Sequence, residues 1–222
     1  LVRMKDEQGN LVMPDRFLPA AERYNLITGI DRWVITHSFE WFAQHCERSP
    51  EQCADVMAIN LSGMSISDPA IQRHIMIAMR KYGIPPESVC FEITETAAIS
   101  NLAAAADFIH ELRKLGCRFA LDDFGSGLSS FGYLKNLPVD YLKIDGSFVR
   151  DMDTDDVNHA MVSAIQQLGS VIGIKTIAEF VENDIIIEML SQLGVDYAQG
   201  YAISMPQPLD DFDFSASRAA LN

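Results

Sequence analysis

The chain has 222 residues, 48% of them hydrophobic, and a formal net charge of -14 at pH 7. This length and composition fit one large soluble globular domain or two small ones with an ample apolar core. The acidic surplus argues against a nucleic acid polymer as partner, because binding its phosphates needs a clustered lysine and arginine footprint. A phosphate-bearing ligand would therefore need cations to mediate its contacts.

The sequence contains neither a stretch long and apolar enough to span a bilayer nor a signal peptide. Its four cysteines show no CxxC spacing, and Cys90 and Cys117 lie in predicted core strands. We therefore interpret all four, including Cys46 and Cys53, as reduced packing residues of a cytoplasmic protein.

Apolar periodicity predicts helices that alternate with strands along most of the chain. Residues 1–4 resemble the tail of a strand, residues 7–10 a turn, and residues 14–23 a helix entered at Pro14. The later elements are helix 30–46, strand 56–61, helix 69–82, strand 88–93, helix 101–115, strand 117–122, helix 129–136, strand 140–144, helix 155–172, strand 175–179, helix 183–193 and strand 195–198. Without a composition break or repeat, residues 1–222 are predicted to form a single domain.

Strands separated by long helices predict an α/β fold with parallel pairing, in either an open doubly wound sheet or a closed barrel. Polar residues end several different strands along the whole sequence, which favours a modified (β/α)8 barrel of the TIM type, with its site on the C-terminal rim. The chain starts at Leu1 with at most half of the first strand that this barrel needs. We therefore expect the first strand to be truncated or incomplete.

The polar residues at these predicted strand ends form a set suited to a hard divalent cation. Asn60, Glu92 and the pair Asp122 and Asp123 offer one amide oxygen and three carboxylates. Mg²⁺ and Mn²⁺ prefer such oxygen ligands, whereas zinc favours histidine and thiolate. Two adjacent aspartates can also serve two ions at once, as in phosphodiester cleavage.

Three further charged residues accompany that set. Lys143 lies in the middle of a predicted strand, where lysine is costly unless it meets acids in a polar barrel mouth. It could orient an attacking water or steady charge on phosphate oxygens. Glu179 and Glu182 straddle a strand end and a helix start, so one is a candidate base or second-metal ligand and the other could complement the helix dipole.

The turn at residues 125–127 is either a loop that couples ligand binding to the metals or a passive turn.

Six short segments, in a fixed order and spacing, contain most of these residues. They are Asn60–Ser62, Phe91–Glu95, Leu121–Gly127, Leu142–Asp145, Ala178–Glu182 and Gln199–Tyr201. Together they closely resemble the EAL-domain cyclic di-GMP phosphodiesterases. The resemblance implies hydrolysis of cyclic di-GMP to linear pGpG in bacterial second-messenger signalling, by a water activated between two Mg²⁺ or Mn²⁺ ions.

The resemblance also implies a role for each matching residue. Asn60, Glu92, Asp122 and Asp123 would be metal ligands, with Asp122 shared between the ions. Lys143 would hold the nucleophilic water, and Glu179 would act as base or complete the surroundings of the second metal. The supporting residues would be Arg3 at a substrate phosphate, Glu95 at the loop after Asp123, Gln199 beside the metals, Asp145 and Glu182.

Two departures from the family pattern are present. Phe180 replaces the usual glycine of the AEGVE signature, which affects local packing only. The glutamate of the EAL motif, a metal ligand in the family, would lie two residues before Leu1, and its loss should weaken metal binding at least as much as the roughly 10–100-fold typical of supporting residues.

Three functions remain open on the sequence. The leading one is a phosphodiesterase, the second is a cyclic di-GMP receptor that binds without cleaving, and the third is an unrelated divalent-metal barrel acting on carboxylates. The family further implies upstream sensory or GGDEF modules, a membrane anchor upstream in some parent proteins, and homodimers.

Overall fold

The computed structural model describes residues 2–127 and 131–212. Its helices are α1 (Pro14–Arg23), α2 (Ile27–Arg48), α3 (Gly63–Ile66), α4 (Pro69–Tyr82), α5 (Glu95–Ser100), α6 (Leu102–Arg113), α7 (Gly146–Val149), α8 (Asp156–Ile172) and α9 (Asp184–Leu193). Its strands are β1 (Met4–Lys5), β2 (Leu11–Val12), β3 (Met57–Asn60), β4 (Val89–Thr94), β5 (Arg118–Phe124), β6 (Tyr141–Ile144), β7 (Lys175–Ala178) and β8 (Tyr197–Ala198). The predicted alternation of strands and long helices is confirmed.

Strands β3 to β8 form one parallel sheet in sequence order. This curled sheet with its helices is of the TIM-barrel type, so the predicted fold class is confirmed. Within the described residues it has six strands, fewer than the eight of a closed barrel. Residues 89–93 of β4 are all buried, as expected for a parallel strand covered on both faces.

The first strand of the structure lies outside the parallel sheet. Met4 and Lys5 pair antiparallel with Leu11 and Val12, and the predicted turn connects them. Of the strand tail expected at residues 1–4, only Met4 is in this short hairpin; Val2 and Arg3 are not in a strand, and Leu1 lies outside the described residues.

The apolar core lies between the sheet and the helices that cover it. Helix α2 contributes Ile35, Phe39 and Phe42, all nearly inaccessible to solvent, and it packs on α4. Helix α2 is longer than predicted at both ends. Helices α4, α8 and α9 each end at a glycine with a left-handed backbone, a conformation that costs glycine no side-chain clash.

One predicted helix has a different form. In the interval 129–136, residues 131–136 form a 3-10 helix, and residues 129 and 130 lie outside the described part of the chain. Three short helices, α3, α5 and α7, were not predicted, and each follows a strand that ends at the polar rim.

The prediction of four reduced cysteines is wrong for one pair. Cys46, near the end of α2, and Cys53, before β3, form a disulfide, with their Cα atoms 4.8 Å apart. The turn between α2 and β3 brings both residues within the Cα separation that a disulfide requires. Cys90 and Cys117 are buried free thiols, as predicted. Burial raises the pKa of Cys117 to about 12, which keeps that thiol protonated and unreactive.

A helix must be both long and apolar to cross a membrane, and none of the helices in residues 2–127 and 131–212 meets both conditions.

Candidate metal centre

The carboxyl ends of neighbouring strands bring the predicted polar residues together around one buried lysine. The Lys143 ammonium lies 2.8 Å from Asp122 Oδ1, 2.8 Å from Glu179 Oε1 and 3.1 Å from Glu92 Oε2. Its side chain is 3% exposed, and the side chains of the three acids are 9–13% exposed. Parallel register explains the meeting, because β4, β5, β6 and β7 are successive neighbours in the sheet.

Burial has the largest effect on the pKa values of Glu92 and Glu179, followed by the attraction of Lys143 and then by repulsion between the acids. Burial raises the pKa of Glu92, with a further increase from Asp122 and a partial offset from Lys143. Burial also raises the pKa of Glu179 to about 7, despite the attraction of Lys143. For Lys143, burial acts to lower the pKa, but the attraction of the three acids outweighs it and raises the pKa above its usual value. One ammonium therefore does not compensate the negative charge of the cluster.

Asp123 extends the cluster towards solvent. Its backbone adopts a left-handed φ of 53°, and the β5 register shifts between Leu121 and Phe124, so two successive aspartates serve the same site. Burial, followed by the neighbouring Asp122, raises the pKa of Asp123. Oxygen atoms of Asp122, Asp123 and Glu179 all lie within 4.8 Å of one another. Three carboxylates at this spacing suit a divalent cation with oxygen ligands, so the donor set fits Mg²⁺ or Mn²⁺.

Asn60 joins the centre through Glu92. The two residues are register partners in β3 and β4, and the Asn60 side chain acts to lower the pKa of Glu92. The four sequence-predicted metal ligands are thus close together. Arg3 lies further out, lining a cavity of about 2030 Å³ that Asn60 also lines.

Glu95 lies under the loop that follows Asp123. Its carboxylate, 2% exposed, accepts hydrogen bonds from the Gly125 amide at 2.9 Å and from the Tyr133 hydroxyl at 2.5 Å. Gly125 has a φ of 98°, and a Cβ there would lie 3.0 Å from the Phe148 ring, so the turn requires glycine. Sequence reasoning missed Tyr133, because its partner Glu95 lies 38 residues earlier.

The other predicted supporting residues lie at the edge of the centre. Asp145 caps α7 by accepting a hydrogen bond from the Ser147 amide. Glu182 forms an exposed ion pair with Arg150 at 3.3 Å, and it is not part of the acid cluster. The Gln199 amide donates to the Ala178 carbonyl, which places its backbone beside the strand end that precedes Glu179.

Phe180 is the most unusual residue of this rim. It has a left-handed φ of 53°, a conformation that favours glycine, and its ring is half exposed. The Arg150 guanidinium lies 5.0 Å from the ring centroid. The ring occupies the space above Gly146, where a Cβ would come within 2.1 Å of it. Phe180 therefore packs on a position that only glycine can fill.

The fold and this centre define a TIM-barrel-type α/β protein with a candidate divalent-metal site at the C-terminal rim of its strands. The family model described as "EAL domain" matches residues 1–206. The chain belongs to the EAL domain family.

Two curated relatives illustrate the similarity. Cyclic di-GMP phosphodiesterase PdeB of Shewanella oneidensis is 45% identical over 212 residues, which is 96% of this chain and 24% of that protein. Cyclic di-GMP phosphodiesterase PdeF of Escherichia coli is 40% identical over 95% of this chain and 28% of that protein. The chain thus spans about a quarter of the length of these relatives.

Solved structures show the same fold. The chain is similar to the PaMucR phosphodiesterase in its c-di-GMP complex, with a TM-score of 0.88 and 32% identity over 95% of this chain and 84% of that one. It is also similar to the FimX EAL domain from Pseudomonas aeruginosa bound to c-di-GMP, with a TM-score of 0.87 and 34% identity over 96% of this chain and 85% of that one.

Proposed function

We propose that this chain hydrolyses one phosphodiester bond of cyclic di-GMP to give linear pGpG, with divalent cations as cofactors. The observation that carries the proposal is the buried cluster in which Lys143 contacts three carboxylates beside an exposed fourth, Asp123. Relatives named as cyclic di-GMP phosphodiesterases support the choice of substrate.

In this proposal the centre would hold two Mg²⁺ or Mn²⁺ ions, which would supply positive charge for the phosphate oxygens. Asn60, Glu92, Asp122 and Asp123 would be the residues that hold them, with Asp122 serving both. The uncompensated negative charge of the cluster supports this assignment, because a cation would offset the burial and the repulsion that raise the pKa of Glu92, Asp123 and Glu179.

The remaining residues orient the reactants. Lys143 donates hydrogen bonds to the attacking water and holds it in line with the scissile bond. Glu179, whose pKa is raised to about 7, accepts the proton of that water or completes the surroundings of the second ion. Arg3 contacts a substrate phosphate, and Gln199 lines the metal site.

A second group of residues supports these positions. Glu95 fixes the loop after Asp123 through its bond to the Gly125 amide. Asp145 and Glu182 shape the rim by capping α7 and by pairing with Arg150.

The proposal extends to the organisation of the protein. Residues 1–222 form one domain of a longer cytoplasmic protein, with sensory or GGDEF modules upstream. One relative, named as a bifunctional diguanylate cyclase and cyclic di-GMP phosphodiesterase, supports this arrangement. It is 31% identical to this chain, which covers 30% of its length. Sedimentation of the purified protein tests the homodimer that the family pattern implies.

Turnover by the full-length protein tests the activity. Cyclic di-GMP is incubated with Mg²⁺ or Mn²⁺, and pGpG is quantified by chromatography. Asp122→Asn removes a central carboxylate, and Asp107→Asn, an exposed acid on α6, is the matched control. We expect product from the wild type and the control but not from Asp122→Asn. Wild-type product no greater than that of Asp122→Asn would refute the proposal.

The same samples distinguish a phosphodiesterase from a receptor. Equilibrium dialysis measures cyclic di-GMP binding, and tight binding without turnover would identify a receptor. Replacing Mg²⁺ with Ca²⁺ should reduce turnover, because Ca²⁺ accepts a larger and looser coordination geometry. Equal rates with both ions would contradict that expectation.

A further inference from the structure

Another buried acid, Asp31, lies outside the metal centre. It is on α2 and its residue is 6% exposed. One oxygen, Oδ2, accepts hydrogen bonds from the Ser62 amide at 3.0 Å, the Ser62 hydroxyl at 2.6 Å and the Ser65 hydroxyl at 2.6 Å. A buried carboxylate is costly without such partners, so these three bonds hold it in place.

The three bonds end in the turn that follows β3. Ser62 is the residue that caps α3, and its hydroxyl also accepts a hydrogen bond from the Ser65 amide. Asp31 thus fixes both the cap and the first turn of this short helix. Gly63, between them, packs tightly on α5, since a Cβ there would lie 3.1 Å from the Ala97 side chain.

This turn begins at Asn60, two residues before Ser62. The Leu61 amide donates to the Glu92 carbonyl at 2.8 Å, and Asn60 is the register partner of Glu92. Asp31 holds Ser62, so the backbone is fixed two residues beyond Asn60 as well as by the pairing of β3 with β4.

Helix α2 is a rigid support for that contact. Its inner face contains Ile35 and Phe39, both 0% exposed, and it packs against α4 and α3. Asp31 lies one turn before Ile35 on the same helix. The bonds to Ser62 and Ser65 thus connect the core of the domain to the end of β3.

We propose that Asp31 is a positioning residue, which holds the Asn60 amide oxygen in the geometry needed to bind a divalent cation. This inference rests on the proposed function, because it assumes that Asn60 is a metal ligand. Groups that orient metal ligands typically contribute about 10–100-fold to metal affinity. Asp31 acts through the backbone of the turn and does not itself touch the metal or the substrate.

Mn²⁺ titration of the purified protein by calorimetry tests the proposal without relying on activity. Asp31→Ala should weaken Mn²⁺ binding by about 10–100-fold. Asp31→Asn keeps an acceptor oxygen at the same place, so it should retain more affinity than Asp31→Ala. Ser65→Ala, which removes one of the three donors, should have the smallest effect.

Ile35→Val is the matched control, since it lowers stability on the same helix without touching the turn. Ile35→Val should leave the Mn²⁺ affinity unchanged. If a general loss of stability were the cause, Ile35→Val and Asp31→Ala would both bind Mn²⁺ more weakly. If Asp31→Ala fails to fold, the comparison of Asp31→Asn with Ile35→Val decides the question.

Each outcome has a distinct meaning. Folded Asp31 variants that bind Mn²⁺ as tightly as the wild type, or no more weakly than Ile35→Val, would overturn the positioning role alone. A wild-type protein that binds no Mn²⁺ would overturn the proposed metal centre and, with it, this inference.

Discussion

Replacing Lys143 with methionine should destabilise the protein strongly in the absence of divalent cations. Methionine has a similar length and no charge, so the variant isolates the loss of the ammonium. The ammonium contacts Asp122 and Glu179 at 2.8 Å and Glu92 at 3.1 Å, in a site where its own side chain is 3% exposed. Its removal leaves three buried carboxylates without a cation.

Breaking a buried ion pair by removing one partner costs about 3–5 kcal/mol, and here a single substitution removes three such contacts. A chain of this length loses about 2–4 °C in unfolding midpoint for each kcal/mol. We therefore expect Lys143→Met to unfold about 6–20 °C below the wild type in a metal-free buffer. Mn²⁺ should raise the midpoint of the variant more than that of the wild type, because the cation then replaces the missing positive charge.

Thermal unfolding followed by circular dichroism, with chelator or with Mn²⁺, measures both effects. Lys114→Met is the control, because it removes an exposed lysine whose ion pair with Glu111 is open to solvent. It should not change the midpoint measurably or alter the response to Mn²⁺. An unfolding midpoint of Lys143→Met equal to that of the wild type, or an equal increase of both midpoints by Mn²⁺, would refute this prediction.

Four further substitutions, two of them combined, test three other contacts by chemical denaturation. Tyr133→Phe removes the hydroxyl that donates to buried Glu95 and should cost about 1.5–3 kcal/mol; an unchanged midpoint would contradict this. Gly146→Ala places a Cβ within 2.1 Å of the Phe180 ring and should cost about 1–3 kcal/mol. Adding Phe180→Gly should recover most of that loss, and additive losses would show that the two residues do not interact. Cys46→Ser opens a disulfide with a sequence separation of 7 and should cost about 2 kcal/mol. A reductant should lower the stability of the wild type to that of this variant. A difference in stability that persists in reductant would have a cause other than the disulfide.

The long elements were predictable because their apolar residues repeat over enough positions to define a period. Helix α4 was predicted with its observed bounds, since proline opens it and Gly83 ends it. The short helices α3, α5 and α7 have only four to six residues, too few for a period to be detected. Their caps, including Ser62 and Thr94, are the sequence signals that could have identified them.

The sequence predicts which residues form the candidate site better than it predicts the contacts between them. Parallel strands place their carboxyl ends on one rim, so residues that end strands were expected to meet. That Lys143 contacts Glu92, Asp122 and Glu179 simultaneously depends on register and rotamer, which the sequence does not specify. Asp31 was missed because it lies in a helix and bonds to residues 31 and 34 positions later.

The distribution of exposure within the centre indicates the side from which a cation enters. Lys143, Glu92 and Glu179 are each less than 9% exposed, whereas Asp123 is exposed to solvent. Because the chain carries a net charge of -14, its own lysines and arginines do not provide a general attraction for a phosphate ligand. The exposed Asp123 carboxylate is instead the part of the cluster that an approaching cation would meet first. In the proposed reaction the anionic substrate would face uncompensated carboxylates without metal ions, so we expect its binding to require the cation.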